Sequence, residues 1–271
     1  MSQNAENRIA AAFETSRTAG RKALITFLTA GDPDYDRSLS AIKTLAASGA
    51  DIIELGMPFT DPGADGPVIQ LANQRALKAG ANMGQTLRMV RDFRAENQST
   101  ALVLMGYYNP VMAYGSERFI SDAKAAGVDG LIIVDLPPEE DQELRALCKA
   151  QSIDLIRLLT PTSDEKRLKT LLEGVSGFLY YVSITGVTGT ASANLTQLEP
   201  HLAMIRQHTD LPIAIGFGIK TPEDAAQMAR IGDAVVVGSA LIGLLNGDSS
   251  VELDSSLAAL GQFTQKLAAA L

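Results

Sequence analysis

Short apolar runs alternate with longer stretches of mixed apolar and polar positions from one end of the chain to the other. Eight of the runs read as strands: Ala23–Thr29, Ile52–Leu55, Ala101–Met105, Gly130–Val134, Leu155–Leu158, Phe178–Val182, Ile213–Ile215 and Ala234–Val237. Runs such as LIIV and AVVV lack polar alternation, which suits strands covered on both faces, as in a parallel sheet. A helix-like segment follows each one, the pattern of repeated βαβ units.

Three strands are preceded by similar turns, SGAD at Ser48–Asp51, AGVD at Ala126–Asp129 and IGD at Ile231–Asp233. A glycine there can take the left-handed conformation that ends a helix. Helix starts are marked by Asp34, expected to cap a helix running to Ser48, and by Thr221 ahead of Pro222, Glu223 and Asp224. No Pro/Gly/Ser-rich linker interrupts the chain. The expectation is one domain over residues 1–271, an α/β fold of the single (β/α)₈ TIM-barrel type. The stretch before Ala23 is expected as an extra N-terminal helix covering the barrel bottom, and Val251–Leu271 as the last outer helix. A doubly wound sheet is the alternative, but eight evenly spaced units favour closure.

The chain has 271 residues, close to the ~250 that such a barrel needs. Its formal net charge of −8, with no basic run, argues against nucleic acid and anionic membranes as partners. No apolar run approaches the ~20 residues of a membrane helix. One cysteine, Cys148, cannot pair within the chain, and the polar start lacks a signal-peptide core, so a cytoplasmic, reducing compartment is expected. His201 and His208 stand in a polar helical stretch without a cysteine or acid cluster, so no metal site is expected. Glu139–Glu143 reads as a solvated helical first turn.

The densest chemical signal is IIELGMPFTDPGADGP, Ile52 to Pro67. Glu54 falls at the C-terminal end of the second strand, where barrel catalytic groups project. Prolines and glycines then force an irregular loop carrying Asp61 and Asp65. A strand carboxylate facing a loop carboxylate suits acid/base work, one desolvated and shuttling protons, the other ionised and orienting the substrate. A turn-capping aspartate and a glutamate in a surface pair would also fit. A second signal is glycine after the sixth, seventh and eighth strands: GVTGT at Gly186–Thr190, IGFGI at Ile215–Ile219 and VGSAL at Val237–Leu241. Gly216 and Gly218 permit close backbone approach to an anion, and Gly238–Ser239 opens a helix whose N–H groups favour phosphate. Tight turns without ligand are the bland alternative.

These segments resemble the tryptophan synthase alpha chain family. ELGMPFTDPGADGP is similar to the family's ELG-x-PFSDP-x-ADGP signature, with Thr60 where serine is usual. The likeness continues in TFLTAGDP (Thr26–Pro33), MGYYNPV (Met105–Val111), VDLPPEE (Val134–Glu140), YYVSITGVTG (Tyr180–Gly189), IGFGI and VGSAL, in order and over nearly the whole chain.

The resemblance implies a carbon–carbon lyase of tryptophan biosynthesis that cleaves indole-3-glycerol phosphate to indole and glyceraldehyde 3-phosphate by a retro-aldol reaction. It implies Glu54 and Asp65 as the catalytic carboxylates and Tyr180 as a substrate contact beside Glu54. Phe27 and Tyr107 would line the indole pocket, although both also fit plain core or rim aromatics. Gly189, Gly216, Phe217, Gly218, Gly238 and Ser239 would bind phosphate. Thr188 would close on Asp65 from a loop. No cofactor is implied, and the partner is a tryptophan synthase beta chain in an α₂β₂ complex, docked at the barrel mouth. A free-standing lyase without that partner and a catalytically silent activating subunit are the alternatives.

Overall fold

The computed structural model describes residues 7–182, 195–216, 218–246 and 253–271. In chain order the elements are α1 (Arg8–Thr18), β1 (Ala23–Thr29), α2 (Tyr35–Ala47), β2 (Ile52–Gly56), α3 (Pro67–Lys78), α4 (Met83–Arg94), β3 (Ala101–Gly106), α5 (Tyr108–Tyr114), α6 (Ser116–Ala126), β4 (Gly130–Ile133) and α7 (Gln142–Ala150). Then follow β5 (Asp154–Leu155), β6 (Arg157–Leu159), α8 (Glu165–Leu171), β7 (Leu179–Val182), α9 (Leu195–Arg206), β8 (Ile213–Gly216), α10 (Pro222–Ala229), β9 (Ala234–Val237), α11 (Ser239–Asn246) and α12 (Leu253–Ala270).

Every strand pair is parallel. The order is β5-β4-β3-β2-β1-β9-β8-β7-β6. Its two ends are halves of one segment, parted only at Ile156, whose N–H still donates to the Leu131 carbonyl at 3.0 Å. The sheet thus returns on itself as a barrel of eight staves, as expected, the fifth expected strand being the one broken in two.

Side chains sort by the two-residue period of a strand. Ala23, Ile25, Ile52, Ala101, Val103, Ile132, Ile156, Phe178, Ala214, Ala234 and Val236 form one buried cluster inside the barrel. The alternate positions, among them Leu24, Leu28, Ile53, Leu55, Leu102 and Leu104, join a larger cluster with the surrounding helices. The expected bottom helix is α1, which puts Ile9 into the interior cluster and Phe13 5.7 Å from Phe178.

The repeated turns have a common chemistry. Asp51, Asp129 and Asp233 each give a backbone N–H to a carbonyl on the neighbouring strand, that of Leu24, Leu102 and Ile213 respectively. Each carboxylate then accepts the N–H of that same residue, at 2.8, 2.8 and 3.0 Å. Arg21 pairs with Asp51, Arg8 and Arg94 with Asp129, and Arg206 with Asp233. These staples fix strand starts in register at the end of the barrel away from the site. Gly49 and Gly127 take positive φ, +106° and +96°, as the turn requires. Gly232 does not: it is small because a Cβ there would stand 2.9 Å from Ile215 Cδ1.

The expected caps at Asp34 and Thr221 are present, the latter as a capping box with Asp224. One expectation fails. Asp141 is not solvated: it is 3% exposed at the start of α7 and paired with the buried Arg157, because that turn packs onto the outside of β6. Among the described residues no helix is long and apolar enough to cross a membrane.

Candidate active site

Glu54 is the middle residue of β2, with Phe27 and Val103 as its neighbours in register on β1 and β3. It shares the inward parity of Ile52, so its carboxyl points into the barrel at the rim end of the apolar interior. It is fully buried, and neither oxygen has a hydrogen-bond partner among the described residues. Without a cation or donor to hold the charge, burial pushes its pKa up to about 8. A carboxyl in this setting is a neutral acid near pH 7 that can give and retake a proton.

The loop after β2 leaves the sheet under control of its neighbours. The Met57 N–H donates to the Met105 carbonyl at 2.8 Å, and the Phe59 N–H to Asn73 Oδ1 at 2.9 Å. Asn73 is buried on α3 and gives its own Nδ2–H to the Ile69 carbonyl at 2.9 Å. Asp65 lies at the far end of the loop. Its N–H donates to the Pro62 carbonyl at 3.0 Å, and Gln70 donates to its carbonyl at 2.9 Å. The Tyr107 hydroxyl donates to Asp65 Oδ2 at 3.0 Å and accepts the Ala64 N–H at 3.0 Å. Burial raises the Asp65 pKa, and the Tyr107 hydrogen bond opposes the rise. Burial, the nearby Asp65 charge and that hydrogen bond hold the Tyr107 phenol far from ionisation. Phe59 packs its ring 5.2 Å from Tyr107.

Tyr180 comes from β7 on the inward parity of Phe178. Burial raises its pKa well above the usual phenol range, and the charges of Glu54 and then Asp65 add to the effect. One phenol therefore lies in the field of both carboxylates and stays a hydrogen-bond donor. Phe27, Met57, Asp65, Asn73, Met105 and Tyr107 line one crevice of about 10 Å³, room for about one water. The structure thus gathers Glu54, Asp65, Phe27, Tyr107 and Tyr180 at the C-terminal rim.

The glycines next to them have specific neighbours. A Cβ on Gly216 would collide with the Tyr180 hydroxyl and stand 2.7 Å from its Cζ, so the space beside Gly216 holds that phenol. A Cβ on Gly238 would stand 3.3 Å from Phe27 Cβ. Gly218 has open space but a φ of +61°, which favours glycine for conformation rather than approach. Ser239 begins α11, where the Gly238 carbonyl accepts from the Leu241 and Ile242 N–H groups at 2.9 and 3.1 Å. The N–H groups of Ser239 and Ala240, in the first turn, have no partner within the helix. Thr188, Gly189 and Phe217 lie outside the described residues.

Sequence reasoning assigned no role to Asn73 or to Asp32, which is buried in the loop after β1 and paired with Arg75. It also missed the surroundings of His201, which bridges the Tyr181 hydroxyl at 2.9 Å and the Ser163 carbonyl at 2.8 Å. Asp32 stands inside TAGDP, part of the family resemblance, but its partners Arg75 and Asn246 are distant in sequence.

Comparison with known proteins bears on the same features. A family model described as tryptophan synthase alpha chain matches residues 13–271. A crystal structure of tryptophan synthase subunit alpha from Legionella pneumophila str. Paris is 38% identical with a TM-score of 0.90, covering 97% of this chain and 98% of that one. A protein from Aquifex aeolicus VF5 is 36% identical with a TM-score of 0.88, covering 97% and 98%. Tryptophan synthase from M. tuberculosis in an aminoacrylate-bound form is 35% identical with a TM-score of 0.86, again covering 97% and 98%. With a matching family model over nearly its whole length and this barrel beneath it, the chain belongs to the tryptophan synthase alpha chain family, lyases of tryptophan biosynthesis that cleave indole-3-glycerol phosphate to indole and glyceraldehyde 3-phosphate.

Proposed function

We propose that this chain performs the family's lysis with Glu54 as the proton-transfer group and Asp65 as the carboxylate facing the indole nitrogen. The observation that carries the reading is Glu54 itself: a fully buried carboxyl without a partner among the described residues, its pKa pushed up to about 8. Such a group enters the reaction protonated. It gives that proton to C3 of the indole, making an indolenine with positive charge on the ring nitrogen. Asp65 offsets that charge. The deprotonated Glu54 then takes the proton of the adjacent side-chain hydroxyl. As that oxygen becomes an aldehyde, the bond to C3 breaks and its electrons restore the indole ring. The proton ledger closes on Glu54, which is why one residue serves both transfers.

Phe27 and Tyr107 contact the indole ring in this reading, and Tyr180 holds the substrate beside Glu54. The phosphate falls to the backbone of Gly189, Gly216, Phe217, Gly218 and Gly238 with the Ser239 hydroxyl, where the α11 dipole favours an anion. Thr188 closes on Asp65 once the substrate is in place. The chain works as one domain, in the cytoplasm, with a tryptophan synthase beta chain docked at the barrel mouth as an α₂β₂ complex.

The test is release of indole from indole-3-glycerol phosphate by the full chain, with and without a beta chain. Turnover stimulated by beta and lost in Asp65→Asn is the expected result. Fast turnover that beta leaves unchanged would assign a free-standing lyase, and undiminished turnover in Asp65→Asn would remove Asp65 from the chemistry.

A further inference from the structure

Asp32 lies in the loop between β1 and α2, only 2% exposed. Its carboxylate is engaged from two directions. Arg75 donates Nε–H to Oδ1 at 2.7 Å and Nη2–H to Oδ2 at 2.8 Å, and Asn246 donates Nδ2–H to Oδ2 at 2.9 Å. Arg75 stands on the third turn of α3, and Asn246 is the last residue of α11. Each of these helices begins at the rim. α3 starts two residues after Asp65, and α11 starts at Ser239, directly after Gly238. At 1.5 Å per residue, Arg75 is roughly 12 Å and Asn246 roughly 10 Å from the start of its helix. Two helices thus leave the site from its carboxylate end and its phosphate end, and one buried carboxylate ties both at a distance.

A solvent-exposed pair of this kind would hold little. Here the acceptor is buried and the arginine contact is bidentate, so the geometry is fixed as well as attractive. Gly31, beside Asp32, adds to the fit: a Cβ there would stand 2.9 Å from Ala81 Cβ, in the turn that ends α3.

We propose that Asp32 is a positioning residue for lysis, setting the separation between Asp65 and the phosphate cradle at Gly238–Ser239 by holding α3 and α11 to the β1 rim. The proposal rests on the roles given to those two ends above. Asp32 touches no reacting atom. Its effect falls on a substrate that reaches both ends at once, since indole at one end and phosphate at the other must be held in a single geometry. A ligand that touches one end alone senses only the helix at that end.

The test separates the two ties in the full chain. Turnover of indole-3-glycerol phosphate reports both ends, and the affinity of glycerol 3-phosphate by calorimetry reports the phosphate end alone. Arg75→Gln frees α3, and kcat should fall about tenfold while glycerol 3-phosphate affinity stays within about twofold. Asn246→Ala frees α11, and glycerol 3-phosphate affinity should fall and KM rise, each by about fivefold, with kcat within about twofold. Asp32→Asn should show both effects together. Should Asp32→Asn fail to fold, the split between the other two variants decides by itself. Equal losses of kcat and affinity in both single variants would mean general loosening and overturn the proposal, as would an unaltered Asp32→Asn. Glu54→Gln run as a control keeps the underlying reading separate: if it retains turnover, the assignment of the site fails, whatever the Asp32 series gives.

Discussion

The Tyr107 hydroxyl donates to Asp65 Oδ2 at 3.0 Å while taking the Ala64 N–H at 3.0 Å, so one phenol holds both the carboxylate and the backbone beside it. Its hydrogen bond also opposes the rise that burial imposes on the Asp65 pKa. Tyr107→Phe keeps the ring against Phe59 and removes only these two bonds. The expected outcome is a fall in kcat of about tenfold. The sign of the pH effect follows from the charge. Without the phenol the carboxyl is harder to ionise, so activity on the acid side should be lost at a higher pH than in the parent. A rate profile measured on both proteins checks it, and an unmoved acid limb would mean that the phenol does not tune Asp65.

Glu54 is buried with no partner for its charge among the described residues, which sets two expectations. Glu54→Gln should lower lysis by roughly 10²–10⁴-fold, the usual cost of losing a general acid/base. It should also stabilise the fold at alkaline pH. In the folded chain the group titrates at about 8 against an ordinary 4.5, so the folded state holds the proton more tightly. The contribution of Glu54 to parent stability is therefore greatest below pH 4.5 and declines as pH rises to about 8, each tenfold change in the proton equilibrium being worth about 1.4 kcal/mol. Glutamine has no such dependence. Thermal unfolding at pH 4.5 and pH 9 should show similar stability at the first and a more stable Glu54→Gln at the second. Parallel pH curves for the two proteins would contradict the burial account.

Features set by neighbours along the chain were legible beforehand, and those set by distant partners were not. Apolar runs marked eight staves because each strand is covered on both faces, and the caps at Asp34 and Thr221 act on residues only three positions away. Glu54 was legible as an acid on the second strand, although it stands at the middle of β2 rather than at its end. Its isolation was not, since that depends on Phe27, Val103 and the whole apolar interior. Tyr107 and Asp65 are 42 residues apart, and Asp32 and Asn246 are 214 apart, so no local pattern signals either contact. The turn repeat was read as structural through its glycines, whereas the aspartates carry the shared chemistry and Gly232 departs from the left-handed conformation of the other two. Asp141 looked like a solvated acid because its neighbours in sequence are charged, yet Arg157 draws it inside.

The aspartate staples at the barrel bottom should rank by burial. Asp129 and its partner Arg94 have side chains 10% and 7% exposed, Asp51 and Arg21 have 10% and 29%, and Asp233 and Arg206 have 34% and 40%. Burial also lowers the Arg94 pKa to about 10, with the Asp129 charge acting against it. Losing the anion strands this guanidinium more than the others. Asp129→Asn should cost about 3 kcal/mol, Asp51→Asn about 1 kcal/mol and Asp233→Asn less than that. Urea unfolding of the three variants gives the order. A cost for Asp233→Asn as large as that for Asp129→Asn would mean that the shared backbone bonds, rather than the buried charge, dominate.

Gly216 and Tyr180 offer a test of what the glycine at the seventh stave's end is for. A Cβ there meets the phenol at its hydroxyl, at Cζ (2.7 Å) and at Cε1 (2.9 Å), so alanine cannot enter without pushing the ring aside. Displacement of that ring disturbs a phenol that lies in the field of both Glu54 and Asp65, and Gly216→Ala should lower kcat about tenfold or more. If the glycine served only to let backbone approach an anion, the same variant would weaken glycerol 3-phosphate binding and its cost would be independent of Tyr180. A double-mutant cycle with Tyr180→Ala separates the two. With the ring removed, the added methyl has space, so Gly216→Ala should cost much less in the Tyr180→Ala background than in the parent. Turnover and glycerol 3-phosphate affinity measured on all four proteins complete the cycle. Strict additivity, with the affinity loss unchanged in both backgrounds, would return Gly216 to the phosphate alone; coupling in kcat with affinity nearly intact would make it the residue that seats the Tyr180 ring beside the carboxylates.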